Sequence, residues 1–92
     1  MKLTGKCKEA FFNQTLYTEI TFDLIGELFQ NALIIDFFDS VGIYISINYD
    51  CISEGFELKI YSNNYKVCSG IHERTEASNA AIEKANEIFN NR

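Results

Sequence analysis

The sequence predicts an α+β domain in which a three-stranded antiparallel meander has helices packed on one face. Three observations indicate this class. Residues 22–42 carry apolar side chains at helical spacing, the next segment changes to alternation with a period of two, and the last segment returns to helical spacing with regularly placed alanines. The predicted order is α-α-β-β-β-α, within a single domain that spans residues 1–92.

The first helix is predicted over residues 5–14, with Thr4 as its N-cap. Cys7, Ala10 and Phe11 share one face of this helix at helical spacing. Residues 15–21 are rich in threonine and β-branched side chains, so we expect a connection or a short extended piece there.

The central segment, residues 22–42, reverses its helical pattern partway along. Its first half predicts a core face made of Leu24, Ile25, Leu28, Phe29, Ala32 and Leu33. Beyond Leu33 the apolar side chains, Phe37 and Phe38 among them, point to the side that was polar. Three resolutions are compatible with this reversal: a break near residues 30–33, a helix buried on different sides along its length, or an apolar face that meets a partner.

Gly42 is predicted to end this helix as a left-handed C-cap. Alternating apolar residues then predict strands over 43–49 and 56–61, and a tight turn at Asn63-Asn64 leads into a third strand over 65–69. The final helix is predicted over 76–90, with Thr75 as its N-cap. One face of the sheet stays open to solvent or to a partner, and it carries Tyr44, Ser46, Asn48, Glu57, Lys59 and Tyr61.

Charge is unevenly distributed along the chain, whose formal net charge is −5. Positions 9–58 contain nine acidic residues and no Lys or Arg, whereas the first eight positions contain three lysines. Direct nucleic-acid binding by this chain alone is therefore not expected, because it needs a basic footprint that neutralises phosphates. The pattern fits an acidic protein kept soluble by its charge, or one that meets a basic protein surface.

The residue types argue against several kinds of chemistry. His72 is the only histidine, which excludes multi-histidine metal sites, and we expect no catalytic residue and no cofactor. Cys68 and His72 straddle Gly70 at a strand end, so a surface histidine is favoured over a nucleophile–base pair. The three cysteines lie far apart and are expected to be reduced thiols. No apolar run is long enough for a membrane span or a signal peptide, so we expect a cytoplasmic protein without direct membrane binding.

Three stretches carry a resemblance to a known group: LTGKCKEAF at 3–11, IIDFFDSVGI at 34–43 and RTEASNAAIEKANEIFNN at 74–91. They resemble small accessory proteins of bacteriophages and prophages. In size and acidic composition the chain is similar to anti-CRISPR proteins directed at type VI effectors, which are RNA-guided RNA nucleases. The resemblance implies a non-enzymatic inhibitor in the cytoplasm of an infected bacterial host, which binds the effector or its guide-RNA complex and interferes with engagement of guide or target RNA.

The residues predicted to contact such a basic partner are Asp23, Glu27, Asp36, Asp39, Tyr44, Lys59 and Tyr61. The alternative interpretation of the Asp36/Asp39 pair is a solvated helix face, and that of the two tyrosines is cross-strand packing. A second functional hypothesis is an antitoxin or regulatory binding module, because the β-β-β-α end resembles the fold of HicB-type antitoxins. A third is a small enzyme that works through Cys68. The chain is expected to be a monomer or a homodimer.

Overall fold

The fold is given by a computed structural model, which describes residues 1–63 and 73–92 in full and the backbone of residues 65–72. The mixed α+β class is confirmed. Three helices precede the sheet, however, where two were predicted. In chain order the elements are α1 (Gly5–Gln14), α2 (Glu19–Asp23), α3 (Glu27–Ser40), β1 (Tyr44–Asp50), β2 (Gly55–Ser62), β3 (Tyr65–His72) and α4 (Arg74–Asn90).

The sheet is antiparallel and its strands lie in the order β1-β2-β3. The register places Ile45 opposite Ile60 and Tyr44 opposite Tyr61. Because neighbouring side chains alternate between faces, the isoleucines point toward the helices and the tyrosines point away from them. Ile60 is fully buried and Ile45 packs against the core, as the alternating pattern predicted.

Helix α3 is continuous, so the first of the three resolutions, a break near residues 30–33, does not occur. The chain breaks earlier, at residues 24–26 between α2 and α3. Of the six residues in the predicted core face, Ile25 and Leu33 do pack against the core. Leu24, Leu28, Phe29 and Ala32 are exposed instead, Leu28 at 80% and Phe29 at 54%. The buried side of α3 consists of Asn31, Ile34, Phe37 and Phe38. A straight helix can bury only one face, and the face with two phenylalanines buries the larger apolar area.

Helix α2 occupies the second half of the segment that was predicted as a connection. Thr18 and Thr21 form a capping box, in which the N–H of Thr21 donates to Thr18 Oγ1 (3.2 Å) and the N–H of Thr18 donates to Thr21 Oγ1 (2.9 Å). The side-chain amide of Gln30 then donates to the carbonyls of Phe22 and Ile25 (3.0 and 2.9 Å). This pair of bonds joins α2 to the first turns of α3.

The predicted C-cap at Gly42 is confirmed. Gly42 has a φ of +80°, and its N–H donates to the carbonyl of Asp39 (3.3 Å). The N–H of Ile43 donates to the carbonyl of Phe38 (2.9 Å), which completes a Schellman motif at the end of α3. The motif turns the chain directly into β1, so that Ile43 is fully buried.

The predicted N-cap position is confirmed for α1 and wrong for α4. Thr4 is the N-cap residue of α1, but its side chain does not cap the helix. The free amides are satisfied by α4 instead, because the N–H of Cys7 donates to Asn90 Oδ1 (2.9 Å) and the N–H of Thr4 donates to Asn86 Oδ1 (3.0 Å). The predicted cap of α4 is wrong: Glu73 is its N-cap, and Thr75 lies inside the helix.

The core lies between the helices and the inner face of the sheet. Phe11 of α1 makes edge-on ring contacts with Phe22 and Phe37, at centroid distances of 5.2 and 5.5 Å. The core also contains Leu58 and Ile60 of β2. Helix α4 contributes Ala81, Ile82 and Ala85 to it. This packing fixes the rotation of α3 and therefore decides which of its side chains reach the surface.

Candidate protein-binding surface

The outward side of α3 is the most distinctive surface of the molecule. Successive helical residues are about 100° apart, so the arc opposite the buried side carries six exposed residues, of which Ser40 is the last. We call the other five the α3 face: Leu28, Phe29, Ala32, Asp36 and Asp39. Its first half is apolar and its second half is acidic. One side of the helix thus presents hydrophobic groups in its first half and anionic groups in its second half.

Large apolar side chains are also exposed in the part of the chain that leads into α3. Within residues 16–29 the exposed set comprises Leu16, Ile20, Leu24, Leu28 and Phe29. Single exposed leucines are ordinary on a protein surface, whereas several in one short stretch are typical of a contact site. Sequence periodicity assigned Leu24, Leu28 and Phe29 to the core. The reversal of the pattern at Leu33 was the feature from which their exposure could have been inferred.

A groove borders the α3 face, between α3, β1 and the start of α4. Its volume is about 420 Å³, and Leu28, Ala32 and Ile35 form one wall while Ile47 contributes from β1. Arg74 lines the opposite side, and its guanidinium lies 4.5 Å from the centroid of the Phe56 ring. Glu27, Asn31, Thr75 and Ser78 also line the groove, and its apolar wall is suited to a hydrophobic side chain of a partner.

The carboxylates of this region differ in their surroundings. Glu27 begins α3 and lies 3.1 Å from the ammonium of Lys2. Asp23, Asp36 and Asp39 are exposed, and none of the ion pairs within the described part of the chain includes them. Their negative charge is therefore uncompensated at short range, which favours approach of a basic surface.

The remaining predicted contact residues form a second, separate group. Tyr44 and Tyr61 lie opposite each other on the outer face of β1 and β2, and both are exposed. Lys59 lies on the same face, and its ammonium is 3.3 Å from the carboxylate of Glu57. This group points away from the helices, while Asp36 and Asp39 lie on the outer side of a helix that packs on the opposite face. The seven predicted residues are therefore not brought together into one surface.

The reactive groups that the structure describes do not form a catalytic arrangement. Burial raises the pKa of the Cys7 thiol to about 12, so this thiol stays protonated at neutral pH and is a poor nucleophile. Cys51 is exposed. The side chains of Cys68 and His72, which were weighed as a pair, lie outside the described residues. Elsewhere in the chain, no group of three or more His, Cys, Asp or Glu residues is placed to hold a metal ion.

In the described part of the chain, no helix combines the length and the apolar character that crossing a membrane requires. Comparisons of the sequence with protein-family models and curated proteins, and of the fold with solved structures, find no significant match. The function of the chain is therefore inferred from the chemistry of its surface and from the resemblance of its sequence segments.

Proposed function

We propose that this chain is a non-enzymatic binding protein whose α3 face engages a basic, partly apolar surface of a protein partner. The observation that carries the proposal is the pattern on one helical arc, where exposed Leu28 and Phe29 lie about two turns before Asp36, and where no described Lys or Arg forms an ion pair with Asp36 or Asp39. The same arc thus offers both of the components that protein interfaces use, an apolar anchor and a charged border.

The two halves of the face have different roles in this proposal. Leu28 lies on the α3 face and also lines the groove toward Ile47, so an incoming apolar side chain is desolvated there. The aspartates attract positive charge and orient the partner during its approach. Burial of the apolar half mainly determines how long the complex lasts, while the acidic half mainly determines how fast it forms.

The partner that the sequence resemblance suggests is a type VI CRISPR effector, either free or with its guide RNA. Such an effector binds RNA, so it must offer a surface of positive charge. An acidic face docked there would compete with guide or target RNA. In this proposal the chain acts in the cytoplasm of an infected bacterial host and inhibits the effector by occupying that surface.

The direct test is binding of the purified chain to a type VI effector, with and without guide RNA, compared with a charge-reversed variant. Asp36→Lys with Asp39→Lys should weaken binding by about tenfold or more, because attraction at the border becomes repulsion. The matched control is Glu9→Lys with Glu83→Lys, which makes the same change in net charge at exposed positions of α1 and α4. Circular dichroism checks that both variants fold.

Two results would contradict different parts of the proposal. Absence of binding to the effector would show that the partner is a different protein, which a pull-down from host extract would then seek. Equal weakening by both double variants would show that only net charge matters and that the α3 face is not the contact. Two apolar substitutions test the other half of the face. Leu28→Ala should weaken binding, whereas Ile52→Ala, at another exposed position, should not.

The antitoxin hypothesis uses the same acidic surface with a different partner. Helix α4 follows β3 and packs mainly against β2, an order that fits the resemblance to HicB-type antitoxins. A small basic toxin recovered in the pull-down would favour this second function.

A further inference from the structure

Strand β1 lies at an edge of the sheet, with β2 on one side only. In an antiparallel strand, every second residue directs its N–H and C=O groups away from its neighbour. Apart from the pairing with β2, the backbone–backbone hydrogen bonds within the described residues do not involve positions 44–50. The free side of β1 therefore presents a row of donors and acceptors that a further strand could satisfy.

Natural edge strands usually carry features that prevent such pairing, among them lysines, prolines and β-bulges. The seven residues of β1, YISINYD, contain no lysine, proline or glycine. The pairing of β1 with β2 is regular over all seven positions, whereas β2 and β3 show a register shift between Glu57 and Lys59. The edge formed by β1 is thus regular, long enough to pair and without these protective features.

The sequence of β1 is also complementary to itself. When two copies run antiparallel about a two-fold axis at Ile47, all seven residues pair, and opposite residues share a face. On the helix side, Ile47 meets its own copy and Ile45 meets Tyr49. On the outer side, Ser46 meets Asn48, and the Tyr44 hydroxyl comes opposite the Asp50 carboxylate. Asp50 is the strand's single charged residue and lies at its end, so no like charges are paired.

We propose that two copies of this chain associate through their β1 strands and form one continuous antiparallel sheet. The added pairing would make about six to eight backbone hydrogen bonds, comparable with the number in an ordinary protein interface. It would also place Ile45 of one copy against the exposed ring of Tyr49 of the other. Asp36 and Asp39 are not part of the strand edge, whereas Ile47 belongs both to the edge and to the groove beside the α3 face.

The first experiment is light scattering on the full chain after size-exclusion chromatography, over a wide range of concentration. The expected mass is twice the 10.6 kDa of one chain. A mass of one chain at every concentration would overturn the proposal. A mass above two chains would do so too, because two-fold pairing of one edge is closed.

Two designed variants test the register. Positions 46 and 48 lie on the outer face, where the Asn48 amide donates to Ser46 Oγ (2.8 Å). Ser46→Glu with Asn48→Glu places like charges opposite each other across the proposed two-fold axis, so the mass should fall to one chain. Ser46→Glu with Asn48→Lys places opposite charges there, so the dimer should persist. Equal behaviour of the two variants would overturn the register.

Hydrogen exchange supplies a measurement that does not depend on the variants. Alternate amides of β1 should become protected as the concentration of the wild-type chain rises, while the amides of β2 stay unchanged. Protection that does not depend on concentration would show that the β1 edge is not the interface. For the two variants at positions 46 and 48, circular dichroism checks that the fold is retained.

Discussion

At the scale of single residues, Lys2 joins three parts of the fold. Its ammonium donates to Asn31 Oδ1 and Asn79 Oδ1 (both 2.6 Å) and to Glu27 Oε1 (3.1 Å). Asn31 is 5% exposed and lies among apolar residues on the buried side of α3. A polar group in that position needs a partner, because an unsatisfied buried oxygen is costly. Lys2 therefore connects the start of the chain to α3 and α4.

We predict that Lys2→Met destabilises the fold by about 1–3 kcal/mol, since it leaves Asn31 Oδ1 without this donor. Lys8→Met is the control, because the ion pair of Lys8 with Glu19 (2.6 Å) is exposed and its loss should cost less than about 1 kcal/mol. Urea denaturation of both variants measures the free energies of unfolding. Equal losses would contradict the role given to Lys2.

At the scale of elements, α3 shows how packing chooses between two apolar faces. Leu28 and Phe29 belong to one apolar face of this helix, yet Ile34, Phe37 and Phe38 form the larger one, and only one side of a straight helix can face the core. The exposed stripe remains available for binding. Gly42 then fixes the end of the helix whichever face is buried, because its cap depends on local backbone geometry alone.

We predict a large loss of stability for one substitution on this helix and almost none for another. Phe38→Ala should destabilise the fold by about 3–5 kcal/mol, because Phe38 is fully buried and its removal leaves a cavity. Leu28→Ala should change the free energy of unfolding by less than about 0.5 kcal/mol, because its side chain lies in solvent. Thermal or urea unfolding measures both. A large loss for Leu28→Ala would mean that the face given by the sequence pattern is the buried one.

At the scale of the whole molecule, the predicted contact residues lie on two different sides. The uncompensated Asp36 and Asp39 lie on the outer side of the helical layer, while the Tyr44/Tyr61 pair and Lys59 lie on the outer side of the sheet. A partner of ordinary size covers about 800 Å² of one molecule, which is enough for one of these surfaces. In our proposals, the helical side meets the partner and the edge of the sheet meets a second copy.

We predict that the association rate with the basic partner falls as salt concentration rises, because screening shortens the reach of the aspartates to about 8–10 Å at physiological ionic strength. Stopped-flow or surface-based kinetics at several salt concentrations measures this. The dissociation rate should change little, since the apolar contacts of Leu28 and Phe29 are not screened. A salt-independent association rate would contradict electrostatic steering.

The amino-acid sequence was enough to predict the mixed α+β class, the bounds of α1, the alternation of β1 and β2 and the turn at Gly42. Each of these follows from periodicity or from backbone preferences within a few residues. It also identified Asp36 and Asp39 as neighbours on one helical face. It did not show that Leu28 and Phe29 are exposed on the same side of the helix. The local pattern contains two apolar faces and does not tell which of them packs against the core.

Three features required knowledge of the folded molecule: the rotation of α3, the capping of α1 by Asn86 and Asn90 and the separation of the predicted contact residues into two groups. These features depend on contacts between residues far apart in sequence. The N–H of Cys7 is hydrogen-bonded by a residue near the far end of the chain. The phenylalanines of α3 point inward because they pack against Phe11 and the sheet. Burial is a property of the assembled core, so the surface left for binding is decided there as well.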